Sequence, residues 1–298
     1  MKQSTKIRLV ALLCGIGAIL LILLASAIDP TPVRALLKLT HVPIDRPSVY
    51  GVFHICWLLI GLALFVLLSI LALKKGKDAT DGTVFGFGML FLVLELYKQL
   101  YSFYILCDGR YDFGVFPFQF CSLPLYFCLI APFLREGWWK EAIYRFLALF
   151  GTMGGCLVLF YPAWFDTLSL CCHTMLWHVA MIALGLWILF SRGYGRSYLA
   201  EMLPAGAIFL GVTALATVLN VVLYPFSKGS PKPLNLFYMS PYHSTYFLIV
   251  KDVWRHLGWA CAMLCYLALF ILVGATLVWV VARFIRWILT HFSQKVQK

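Results

Sequence analysis

The chain has 298 residues, of which 62% are hydrophobic and 12% charged, with a formal net charge of +12. That much apolar surface exceeds what one soluble core of this length buries, so the solvent of the chain is a membrane. The basic residues are scattered over loop ends rather than gathered on one face, which argues against nucleic-acid binding and for anchoring to anionic headgroups.

A helix crossing ~30 Å of hydrocarbon needs ~20 mostly apolar residues. Runs of about that length lie near 9–28, 51–73, 84–107, 118–134, 142–160, 168–190, 202–225 and 258–282. They are continuously apolar rather than alternating, which excludes barrel strands and predicts an all-α polytopic transmembrane bundle of about eight spanning helices. Residues 1–49 read as an extra N-terminal helix with an outer loop, residues 50–285 as a seven-helix core, and nothing is left for a soluble domain. The first run follows Lys6 and Arg8 and closes on Ala25, Ser26 and Ala27, the outline of a signal peptide. Its ~20 apolar residues exceed the ~7–15 of a signal core, so an uncleaved helix is expected. Lys74, Lys75, Lys77, Arg135, Lys140, Arg145, Arg192, Arg196, Arg283 and Arg286 fall at alternate ends of the runs, which places both termini in the cytoplasm.

Polar residues enter few of the runs. The third carries Glu95, Lys98 and Gln99, whose spacing puts them on one helical face as a charge pair with an amide beside it. The fourth opens with Gln119, Cys121 and Ser122 and is expected to bend at Pro124. In the fifth, Gly151 and Gly155 form a GxxxG close-packing device. The sixth has His173, Thr174 and His178; the seventh has Thr213, Thr217, Asn220 and Tyr224 in one stripe. Residues 226–257 are too interrupted by proline to span and are expected to form an outer loop or a re-entrant lid.

With the termini inside, Lys98, Gln99, Gln119, Cys121, His173 and Asn220 fall in the outer half of the membrane and Glu95 and His178 near its middle. Ionised groups at such depth cost ~2.5–3.5 kcal/mol even on the lenient scale, so a polar cavity beneath the outer leaflet is expected. The plainer reading is interhelical glue, worth ~0.6–2 kcal/mol per hydrogen bond. Most of the ten cysteines sit inside apolar runs as small hydrophobes, although Cys107 and the Cys171–Cys172 pair share the outer face and allow a disulfide there. Cys171, Cys172 and His173 lack metal-ligand spacing, so no metal or cofactor is expected.

Four landmarks in order, ELYK at Glu95–Lys98, PFQFCSLP at Pro117–Pro124, WHVAMIAL from Trp177, and Asn220 followed by NLFYMSP, resemble the YwaF-type bacterial integral membrane family over roughly residues 50–285. That family looks related to a eukaryotic multi-span acyltransferase acting on ether phospholipids through an acylated cysteine, and more distantly to membrane hydrolases of fatty-acid esters. The resemblance implies a bacterial cell membrane location and a lipid acyl-transfer or ester-hydrolysis site, with Cys121 as nucleophile and His178 as base. His173 fits the landmark less well. Phe118 and Phe120 flank Gln119 where relatives often carry leucine. Glu95 would orient the imidazole or hold Lys98, and Asn220 or Gln119 would donate to an oxyanion. Membrane lipids are then the partners. Two other classes stand beside this one: a transporter or small-molecule binding component using Glu95, Lys98 and His178, and a non-enzymatic assembly partner.

Overall fold

The computed structural model describes residues 3–243, 245 and 247–296, and no strand occurs among them. Each apolar run forms a helix. In chain order these are α1 (Gln3–Ile28), the short α2 (Thr31–Leu39), α3 (Val52–Lys75), α4 (Thr80–Tyr101), α5 (Leu123–Ile130), α6 (Trp138–Phe160), α7 (Leu168–Ser191), α8 (Tyr198–Val222) and α9 (Leu248–Ile288). Among the described residues, seven helical stretches are long and apolar enough to cross a membrane. The most apolar window of α7 is 83% buried against 6% for α1, so α7 is the axis of the bundle and α1 an outrigger.

Charge is gathered at one end, here termed the ionic end. Asp81 at the start of α4 accepts from Lys140 Nζ and Tyr144 Oη of α6, both at 2.7 Å. Lys140 also reaches Glu136 at 2.8 Å, and Arg192 beyond α7 reaches Glu141 at 3.0 Å and Glu136 at 3.4 Å. Arg8 of α1 lies 3.7 Å from Asp81. Glu201 accepts the Gly195, Arg196 and Ser197 N–H groups at 2.7, 3.0 and 3.3 Å and the Trp279 indole at 2.9 Å, capping α8 and tying it to α9. At the opposite, loop end, Arg46 pairs with Asp166 at 2.5 and 2.8 Å. The fully buried His54 accepts the Tyr50 N–H at 3.0 Å and donates to Leu159 O at 2.7 Å, joining α3 to α6. Successive helices therefore run antiparallel between two polar ends.

The fourth apolar run departs from the expected span. Phe120–Phe133 is helical but short, rising only ~21 Å of the ~30 Å required. Pro124 does not bend it: the proline lies in the first turn of α5, where its missing N–H has no partner to lose. The missing depth is supplied by residues 107–119, which turn back into the bundle until Val115 O meets the Gln99 amide at 2.6 Å. Tyr126 Oη donates to Pro117 O and holds that return. Residues 228–243 do the same from the other side, sinking Leu234, Leu236, Phe237 and Met239 to near-zero exposure. α9 is also two pieces, because Gly258 (φ 83°) separates Leu248–Leu257 from the spanning part.

Close packing on α7 comes from Gly155, where an added Cβ would lie 2.7 Å from Ile182 Cγ1 and 2.9 Å from His178 O. Its companion is Gly154, against Phe120, and not Gly151, which faces open space.

Candidate functional site

α4 carries Glu95, Lys98 and Gln99 on the face turned to the bundle interior because three- and four-residue steps return a helix to the same side. Lys98 Nζ lies 2.9 Å from Glu95 Oε2, and Gln99 Nε2 donates to Glu95 Oε1 at 2.7 Å. Glu95 is 6% exposed. The ammonium approaches Oε2 outside hydrogen-bonding geometry, so that oxygen keeps an unfilled acceptor position. Lys98 also sits 5.7 Å above the Trp177 ring, a cation–π contact from α4 to α7.

Cys121 lies in a single 3₁₀ turn, Phe120–Ser122, at the head of α5. Two contacts seat that turn. The Trp177 indole donates to Cys121 O at 2.9 Å, and Phe120 meets Phe146, Phe209, Phe237 and Phe270 edge-on at 5.6–6.3 Å. Trp177 in turn stacks on His173 at 5.7 Å and precedes His178 in the chain. Trp177 thus touches the Lys98 ammonium, the Cys121 carbonyl and the His173 ring. No hydrogen bond joins the Cys121 thiol to either imidazole among the described residues.

The imidazoles are oriented by carbonyls. His178 Nδ1 lies 2.7 Å from Thr174 O and His173 Nε2 lies 3.0 Å from Leu94 O. A carbonyl only accepts, so the bonded nitrogen carries the hydrogen in each ring. The neutral His178 ring thus keeps Nε2 as its basic nitrogen, and His173 keeps Nδ1.

Gln119 and Asn220 hold the returning segment. Asn220 exchanges both of its amide groups with the backbone of Leu236, at 3.0 and 2.7 Å. Gln119 donates to Asn235 O at 3.3 Å and accepts the Phe237 N–H at 3.1 Å. Phe237 and Tyr238 are left-handed (φ 57° and 55°), a conformation costing ~1–3 kcal/mol that such clamps sustain. Of the α8 stripe, Thr217 bonds Thr213 O at 2.9 Å, while the buried Thr213 hydroxyl has no hydrogen-bond partner. Trp177 and Phe237 were missed as site residues in the sequence because tryptophan and phenylalanine in apolar runs are indistinguishable from core; only Trp177 had a signal, its place beside His178.

Two lateral cavities flank this region. One of about 540 Å³ lies between α1 and α4 and is walled in part by Gln99; the other, about 370 Å³, lies between α8 and α9 beside Thr213, Thr217 and Trp259. Neither is lined by Cys121 or His178. Among the described residues no group of three metal-ligating side chains occurs, and Cys107, Cys171 and Cys172 are free thiols.

No curated protein and no solved structure matches the chain. Residues 49–277, which leave out α1 and α2, match the TMEM164 family, a family of membrane proteins, and this multi-pass membrane protein belongs to it.

Proposed function

We propose that this protein is a membrane-embedded enzyme of lipid acyl transfer or lipid-ester hydrolysis, with Cys121 as nucleophile and His178 as base. The ionic end is the cytoplasmic one, in keeping with its basic loops, and the site then lies in the outer half of the membrane. The observation that carries the reading is Trp177, which lies 5.7 Å under the partly buried Lys98 ammonium, donates to Cys121 O at 2.9 Å and stacks on His173 at 5.7 Å, so that one side chain gathers the cation, the thiol residue and an imidazole. Ions are kept at such depth at a cost of several kcal/mol, which packing alone does not repay.

In this reading His178 Nε2 takes the thiol proton, and the thiolate attacks the carbonyl carbon of a lipid ester. The ester C–O bond breaks as the imidazolium returns the proton to the departing lipid hydroxyl, leaving an acyl thioester on Cys121. A second lipid hydroxyl, or water, then attacks the thioester; His178 takes its proton and gives it back to sulfur. Lys98 stabilises the negative charge that appears first on sulfur and then on the carbonyl oxygen, while Glu95 holds Lys98 in place. Residues 228–243 act as a lid that Gln119 and Asn220 fasten.

The test is intact-mass analysis of protein purified from native membranes, with and without hydroxylamine, alongside the acyl profile of the expressing cells. A hydroxylamine-labile acyl adduct present in wild type and in Cys128→Ala, and lost in Cys121→Ala, is the expected outcome. Absence of any adduct together with an unchanged lipid profile in Cys121→Ala and Cys121→Ser sinks the proposal. If Glu95→Gln alone then abolishes cellular function, the site serves a small-molecule binding or transport role instead.

A further inference from the structure

We infer that the cavity between α1 and α4 is a binding groove for a phosphoglyceride of the loop-end leaflet, with one acyl chain in the trough and the phosphate against Arg34 of α2. The trough is walled by Leu23 and Ala27 of α1 and by Leu100, Phe103 and Tyr104 at the end of α4. α1 meets the rest of the chain through Arg8 to Asp81, at Gly15, where an added Cβ would lie 2.8 Å from Met89 Cε of α4, and through the Tyr104 hydroxyl to Ser26 O at 3.1 Å. Between these ties it stands off α4 near the loop end, and the gap opens sideways, where a membrane protein meets hydrocarbon.

The wall is mostly hydrocarbon, and several of its polar groups already donate within the protein. Ser26 Oγ donates to Leu23 O at 2.9 Å, Tyr104 Oη to Ser26 O, and the Gln99 amide to Glu95 and Val115 O. A trough walled mainly by hydrocarbon suits an acyl chain and offers a polar solute little to replace its water. Above it the situation reverses. The Arg34 guanidinium lies 5.7 Å over the Tyr104 ring and pairs through one amino group with the exposed Asp108 at 2.9 Å, while its Nε–H is buried without a partner. Lys38, one turn further along α2, is exposed. An apolar slot beneath an under-satisfied guanidinium complements a lipid whose chain and phosphate are joined end to end.

At its inner edge the groove meets Gln99, whose other neighbour is the Glu95–Lys98 pair. A chain lying in it therefore presents its ester near that pair; this supply role rests on the acyl-transfer reading above, whereas binding does not.

The test uses full-length protein in nanodiscs of phosphatidylcholine doped with a photoactivatable diazirine-acyl phosphatidylcholine, with mass-spectrometric mapping of the crosslinks. Expected is labelling of Leu23, Ala27, Leu100 and Phe103 at least about five-fold above that of the lipid-facing residues Leu62 and Val66 of α3. Filling the slot with Ala27→Phe, or removing the guanidinium with Arg34→Gln, should reduce the groove labelling to the α3 level and leave α3 unchanged. Equal labelling at both places in wild type overturns the proposal, as does groove labelling indifferent to both variants. A free diazirine fatty acid labelling the groove as well as the phospholipid does, with no loss in Arg34→Gln, also overturns it, since the phosphate contact is then absent. Repeating the measurement in Cys121→Ala separates the two claims: groove labelling that persists there while wild type forms no thioester leaves the groove standing and the enzyme reading lost.

Discussion

At the ionic end, Asp81, Glu136 and Glu141 interleave with Arg8, Lys77, Lys140 and Arg192, so that nearly every charge faces two partners from different helices. In the loop-end half one carboxylate meets one ammonium within a single helix, and one oxygen of that carboxylate retains an open acceptor position. The first arrangement joins α1, α4, α6 and α7 through several ion pairs; the second stays within α4 apart from the contact of Lys98 with Trp177. Charge that cross-links helices serves stability, while the pair kept within one helix, with its open Glu95 oxygen, is the one the proposed function uses.

Four substitutions test that contrast. The largest effect is expected at the 4%-exposed Lys140 side chain. Lys140→Met takes the buried ammonium from between Asp81 and Glu136, leaving Asp81 with Tyr144 and Arg8, and should remove ~3 kcal/mol of stability, read from denaturant unfolding in lipid–detergent micelles, with thioester formation by the folded fraction unchanged. Glu95→Gln is expected to do the converse: a hundred-fold loss of acyl transfer, equal to ~2.7 kcal/mol, with ~1 kcal/mol or less of stability. If Glu95→Gln unfolds the protein as readily as Lys140→Met, the distinction between the two regions fails.

Gly154→Ala probes the seat of Cys121 by sterics alone. In most helices this change gains ~1 kcal/mol, yet here the new Cβ would lie 2.6 Å from Phe120 Cε1, and overpacking should cost ~1–3 kcal/mol and slow Cys121 acylation in single-turnover assays.

The smallest effect is expected at Glu136. Its hydrogen bond to Lys140, helped by Lys77 and Arg192 and opposed by desolvation, holds its carboxyl down to about 2 from an ordinary 4.5. A carboxyl lower in the folded than in the unfolded state adds stability that is whole above about pH 4.5 and fades as the pH falls towards 2. Because the side chain is 57% exposed and screened, Glu136→Gln should cost under ~1 kcal/mol at neutral pH and flatten the acid side of a Tm–pH curve.

Much of the architecture was legible locally. Glu95, Lys98 and Gln99 share a face because of helical period, and they do bond to one another. The eight apolar runs are all helical. Cys121 and His178 were named by resemblance, and no residue pattern alone separates them from Cys128 or His54, which also lie in apolar runs and are more fully buried. The polar stripe of α8 was visible, but its division was not: Asn220 is spent on Leu236 while Thr213 is unpartnered.

The sequence by itself determined that the solvent is a bilayer, where the helices lie and which polar residues share a helical face, since composition and a 3.6-residue period are properties of short stretches. The tertiary structure alone decided that α5 is too short and is completed by a returning loop, that Gly154 rather than Gly151 partners Gly155 and that Lys140 and Asp81 meet. It also decided that Trp177 ties Lys98 to Cys121. These outcomes depend on the rotation and depth of each helix against its neighbours, which long-range packing sets and no local stretch encodes.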